Sequence, residues 1–173
     1  EWAHQLLRYD AAEERRQAWR RIARRERLAP AVHETIYRRL DALCRHFDDH
    51  PLAKRSRQAE RRWDEFVFHY HLGDGWVVRG RVDRLTVQAG KGLLLDFKTH
   101  PIPPEAVPSL AKVYRTQLAI YAAAVREQGI RDLEAYLFFL FPARAWKLEE
   151  EALNDATLQA EVAHLRHELE RLH

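Results

Sequence analysis

Cysteine is nearly absent: Cys44 is the single one in 173 residues. That excludes a disulfide framework, a four-cysteine zinc site and a four-cysteine iron–sulfur cluster built within this chain. A reducing cytoplasm is the expected location. No apolar run approaches the ~20 residues of a membrane helix, and no signal-peptide pattern opens the chain. Net charge is also small, at +3, so composition alone does not mark a nucleic-acid binder. Internal repeats and low-complexity linkers are missing. No G-x-x-x-x-G-K-S/T loop occurs, which leaves the chain without that nucleotide-binding motif. The opening EWAHQLLRY lacks a methionine and is already in a helical pattern, which reads as a piece cut from a longer polypeptide.

What is present suffices for one folded domain. Hydrophobic residues make up 46% and charged residues 32%, too apolar a balance for disorder. The expected organisation is a single unit over 1–173: a helical part (1–62), a strand-rich core (63–150) and a C-terminal helix (153–172). Helices are predicted over 2–9, 11–27, 30–48 and 52–61. In the third, Val32, Ile36, Leu40, Leu43 and Phe47 recur at helical spacing behind Pro30. The basic run RRQAWRRIARRERL (15–28) reads as a solvated helix face in preference to a phosphate-binding surface. EFVFHYHL (65–72), WVVRGRVDRLTV (76–87) and LLLDFKT (93–99), separated by glycine turns, form a predicted β-meander. A proline-rich loop (101–108), a helix (109–127), strands over 133–141 and 143–149, and a last helix follow. That helix carries a seam of Leu158, Val162, Leu165, Leu169 and Leu172. The order implies an α/β domain with a central mixed sheet flanked by helices.

The stretch LLLDFKTH (93–100) holds the chemistry. Strand side chains alternate, so Asp96 and Lys98 share a face and Phe97 takes the other. A turn centred between Ala89 and Gly90 sets Asp83, itself in the apolar run GRVDRL, opposite Asp96. Facing carboxylates repel and destabilise a ladder, so something must compensate. Lys98 offsets one charge. A divalent cation offsets both, and hard oxygen ligands suit magnesium or manganese. Two acids and a lysine at a strand end are the parts for metal-assisted phosphodiester hydrolysis. A buried Asp96–Lys98 ion pair, with Asp83 turned to Arg81 or Arg84, fits the same spacing.

GRVDRL, LLLDFKTH and YRTQLAIY together resemble the RecB-type branch of the PD-(D/E)XK nucleases, in particular the nuclease domains of AddA-like and RecB-like helicase–nucleases. The likeness extends to EWAHQLL and DEFVF, hence over nearly the whole chain. It implies a restriction-endonuclease-like core with a helical N-terminal part. It implies catalytic roles for Asp83, Asp96 and Lys98, and Mg2+ or Mn2+ held by His4, Asp83, Asp96 and the Phe97 backbone carbonyl. Gln117 and Tyr121, four apart on one helix face, would contact or position the nucleic-acid strand, with Tyr114 one turn earlier. The implied substrate is DNA, as single strands fed by a helicase motor in the same polypeptide or complex, in double-strand break processing and recombinational repair, with no membrane involved. Val82 stands at the family's proline, and the cluster-binding cysteines of AddB-like relatives are missing. The alternative is a catalytically silent domain of this fold that binds DNA or scaffolds a complex. Glu65 is expected to pair with an arginine, His69 and His71 to be ordinary sheet positions, and HFDDH (46–50) to be a polar helix terminus.

Overall fold

The computed structural model describes residues 1–73 and 75–171. Among these residues, seven α-helices and five strands follow in chain order: α1 (Trp2–Leu7), α2 (Ala12–Arg25), α3 (Pro30–Asp48), α4 (Pro51–Arg57), β1 (Arg61–Gly73), β2 (Trp76–Gln88), β3 (Lys91–Lys98), α5 (Val107–Val113), α6 (Arg115–Glu127), β4 (Leu133–Phe139), β5 (Arg144–Lys147) and α7 (Asp155–Glu170). The strands form one sheet in the order β1-β2-β3-β4-β5. β3 and β4 run parallel and the other neighbours are antiparallel, so the sheet is mixed as expected.

Alternation along β3 builds both halves of the core. Leu94 faces Leu118, Ala119 and Ala122 of α6, where small side chains let the helix lie close to the sheet. Leu93, Leu95 and Phe97 face Leu6, Trp19, Phe47 and Leu52 of the N-terminal helices. A helical layer therefore covers each face, which is how a sheet apolar on both sides is buried. Asp96 and Lys98, on the α6 side, lie at the end of β3 where that cover thins.

Several expected boundaries shift. β1 begins at Arg61, four residues before its predicted start, because α4 ends at Arg57 instead of running to 61. The predicted helix over 109–127 is two helices. The chain breaks at Tyr114 (φ −95, ψ 1), with neither glycine nor proline to mark the break. Arg15 is a further correction to the solvated basic face: it is buried, with Nε bonded to Asp41 at 3.1 Å and Nη1 paired with Asp48 at 2.9 Å. Its helix turns Ala18, Trp19 and Ile22 to the same core. Of the C-terminal seam, Val162 is buried against the α6 side of the sheet. The side chains of Leu158, Leu165 and Leu169, and Leu172 itself, lie outside the described residues.

Candidate active site

The β2–β3 ladder runs from Gln88↔Lys91 to Arg84↔Leu95, which is the expected register. The next position would set Asp83 against Asp96. There the Asp83 side chain enters the gap, and its Oδ2 accepts the Phe97 amide hydrogen at 2.8 Å. A carboxylate thus satisfies a backbone donor that the ladder leaves behind. Asp83 Oδ1 lies 3.5 Å from His4 Nδ1. The alternative pairing of Asp83 with arginine is not adopted: Arg81 pairs with Glu65 and Arg84 with Asp64.

Glu65 explains how Asp83 comes to point here. Its backbone is left-handed (φ 59), a strained state for a non-glycine residue. The pairs Asp64↔Arg84 and Phe66↔Val82 flank it. Arg84 faces Phe47 and Phe97 on one side of the sheet, whereas Val82 packs on the α6 side. Two residues apart, they should share a face. The kink reverses the alternation of both strands at Glu65 and Asp83, as bulges do when they re-aim a side chain. Glu65 itself pairs with Arg8 at 3.1 Å and with Arg81 at 3.6 Å, so its expected ion pair forms.

Asp96 is 5% exposed. Its Oδ2 is sealed from solvent and faces the Lys98 ammonium at 2.7 Å. Burial pushes its pKa up and the Asp83 charge pushes it further, against the pull of Lys98 and His4. The Lys98 ammonium also donates to Gln117 Oε1 at 3.2 Å and sits 3.9 Å above the Tyr114 ring. Gln117 Nε2 in turn donates to the Tyr121 hydroxyl at 2.8 Å. Tyr114 meets His100 Nε2 through its hydroxyl at 3.1 Å. The helix break at Tyr114 and the i, i+4 spacing of Gln117 and Tyr121 place these groups beside one ammonium.

Arg84 carries no mark in the sequence beyond its apolar neighbours, yet it organises the far side of the site. It is 1% exposed, bonds Asp64 at 2.7 Å and donates to the Leu7 carbonyl at the end of α1. Its guanidinium lies over the Phe47 and Phe97 rings. It thereby fastens the helix that bears His4 to the strand that bears Asp83. The sequence signal available was an arginine inside a strand with no solvent face.

A cleft of ≈ 530 Å³ gathers His4, Asp83, Asp96, Phe97, Lys98 and Tyr121, with Arg79 and Arg81 at its side. Gln117 reaches this group through its bonds to Lys98 and Tyr121. Every predicted site residue is therefore within one connected set. The donors suit a divalent cation in kind. His4 Nε2 is buried without a hydrogen bond, and Asp83 and Asp96 line the same cleft as His4. Among the described residues no three histidine, cysteine or carboxylate side chains stand together closely enough to hold a metal ion. The Phe97 amide and the Lys98 ammonium each hold one of the acids instead. HFDDH is structural, as expected: Asp48 pairs with Arg15 and Arg57, His46 meets the Leu140 carbonyl, and His50 caps α4. His69 and His71 are exposed ladder positions opposite Arg79 and Val77.

The whole chain, residues 1–173, matches the PD-(D/E)XK nuclease superfamily. Over 76 residues, 40% of this chain, it is 37% identical to an ATP-dependent helicase/nuclease subunit of Bacillus pumilus (strain SAFR-032). The match covers 6% of that relative, so the chain spans a small part of its length. The crystal structure of SSO0001 superposes on 85% of this chain and 70% of its own, with a TM-score of 0.42 and 15% identity.

Proposed function

The chain belongs to the PD-(D/E)XK nuclease superfamily, and from that premise we propose that it is a metal-dependent deoxyribonuclease acting on single strands. The observation that carries this reading is the convergence of Asp83, Asp96 and Lys98 on one cleft, with the buried Asp96 pressed against a lysine.

His4, Asp83, Asp96 and the Phe97 carbonyl are the groups proposed to hold Mg2+ or Mn2+. When bound, that ion supplies a Lewis acid for the phosphate and lowers the pKa of its water. The protein's own groups do the rest. Asp83 is held in place by the Phe97 amide. Asp96 keeps the Lys98 ammonium at the cleft, where it can orient a water molecule or offset charge that builds on the phosphate. Gln117 and the Tyr114 ring restrict where that ammonium can go. Arg79 and Arg81 add positive charge along the cleft for a phosphate backbone.

The Bacillus relative is a helicase/nuclease component. We therefore place this chain, by proposal, as the nuclease part of such an assembly in double-strand break processing and recombinational repair. A motor in the same polypeptide or complex would feed it strands. Such tethering would raise the local strand concentration and fits a net charge of only +3. No described helix is long and apolar enough to cross a membrane.

The test is cleavage of end-labelled single-stranded DNA at low salt in magnesium, manganese or EDTA, with Lys98→Ala and Asp96→Asn beside the parent. Metal-dependent cutting that both substitutions abolish is the expected result. Manganese binding that requires Asp96, without cutting, would favour a site dependent on its motor. Neither cutting nor Asp96-dependent manganese binding would overturn the catalytic reading and leave a domain that binds DNA or scaffolds.

A further inference from the structure

A second cleft, of ≈ 470 Å³, adjoins the catalytic one. The two share Arg79, Gly80 and Tyr121. Beyond that shared rim, the second cleft runs between β2 and α6 to α7, past Val78, Ile120 and His164. Resting on the nuclease reading above, we infer that this cleft receives an unstacked nucleobase of the strand whose phosphate lies at Asp96 and Lys98.

The chemistry of the two clefts differs in the way a nucleotide does. The catalytic cleft offers Lys98 and Arg81, with Arg79 on the shared rim, which suit phosphate. In the second cleft, Val78, Ile120 and the Tyr121 side chain supply apolar surface. Thr116 of its lining donates to Glu161 at 2.9 Å, and that carboxylate also pairs with Arg115. A base presents the same combination of flat apolar face and polar edge. The Tyr121 hydroxyl accepts from Gln117 and keeps its own hydrogen to offer. His164 stands at the opposite wall.

Gly80 opens the rim. A Cβ there would stand 2.2 Å from the Phe68 ring. The bare backbone lets Phe68 lie against β2 and meet Tyr121 edge-on, with centroids 5.2 Å apart. Phe68 thus fixes the side chain that divides the two clefts. A volume of this size matches small-ligand sites of ~300–1,000 Å³, large enough for a base and too small for a paired duplex. A base enters only after leaving its stack, which costs least in a single strand. The cleft therefore gives a physical reason for acting on unpaired strands.

The decisive experiment leaves the protein unaltered. Single-stranded oligonucleotides of about six nucleotides, a length within known single-strand site sizes, each carry one abasic position moved stepwise along the strand. Fluorescence anisotropy in EDTA reports binding, and cleavage in magnesium reports the bond cut. One abasic position, at a fixed distance from the cut bond, is expected to weaken binding or cutting about 5- to 10-fold, the low end of base stacking on an aromatic side chain. Val78→Phe, which fills the cleft, should produce the same loss on the intact strand and abolish sensitivity to the abasic position. Uniform binding and cutting at every abasic position overturns the inference while leaving the nuclease reading intact, and this arm stands even where Val78→Phe does not fold. A parent chain that neither binds nor cuts the intact strand also overturns the inference, and manganese binding that requires Asp96 then decides separately whether the nuclease reading stands.

Discussion

The Asp83 carboxylate accepts the Phe97 amide hydrogen at 2.8 Å, one step beyond the last paired residues of β2 and β3. Two adjacent strands separate at that step, and a side chain takes over a backbone bond. The acid is therefore held by the frame of the sheet, while its other oxygen faces His4. The same step leaves Asp96 buried beside it, so the site carries an electrostatic cost within the fold.

That cost makes stability and activity respond in opposite directions to Asp96→Asn. Burial, then Asp83, raise the folded-state pKa of Asp96 above its ordinary value of 3.8. The folded chain thus keeps a proton that the unfolded chain loses as pH rises past that value, and stability falls through this window. Asp96→Asn removes the penalty. In EDTA its urea midpoint at neutral pH should exceed the parent's, with the gap closing below the usual carboxylate range, while cleavage is lost. A lower midpoint at neutral pH would contradict this account.

Tyr114 should act through its ring. The Lys98 ammonium lies 3.9 Å from the ring centroid, a cation–π contact of roughly 0.5–2 kcal/mol. Tyr114→Leu is expected to slow cleavage about 2- to 30-fold through kcat, with KM little changed. Tyr114→Phe keeps the ring, gives up only the His100 bond, and should retain most activity. Equal losses in both variants would assign the effect to the hydroxyl.

Glu65 should report the strain at the kink. At φ 59 glycine is unstrained, whereas a β-branched residue is disfavoured. Its pairs with Arg8 and Arg81 are partly exposed and contribute little. Glu65→Gly should hold or gain up to about 1 kcal/mol, and Glu65→Val should lose roughly 1–2 kcal/mol. Chemical denaturation of the two variants beside the parent gives the comparison.

Cys44 should be silent in the folded state. Burial raises its thiol pKa to about 12, although Arg15 pulls the other way. The thiolate is the reactive form, so at pH 8 a thiol reagent should label the chain only as it unfolds. Labelling at the rate of a free thiol in native buffer would show that the α1–α3 packing opens readily.

The sequence by itself determined the chemical inventory and most of the frame. Alternation in LLLDFKTH put Asp96 and Lys98 on one face, and the glycine turn at 89–90 set the register that the ladder adopts. The family resemblance rested on motifs local in sequence, and the superfamily match agrees with it. Periods of two and 3.6 residues are written along the chain, so strands and helices could be located from them. Tertiary structure alone decided what depends on contacts between distant segments. Burial of Arg15 requires Asp41 and Asp48 across a helix pair. The break at Tyr114 has no local breaker and coincides with its ring lying beneath Lys98. The reversal of faces at Glu65 and Asp83 is likewise unmarked, because glutamate ordinarily avoids a left-handed backbone. Arg84 reads as an ordinary strand residue until Asp64 and the Leu7 carbonyl surround it. In each case the local preference is worth about a kilocalorie per mole or less, and burial and charge pairing in the assembled core outweigh it.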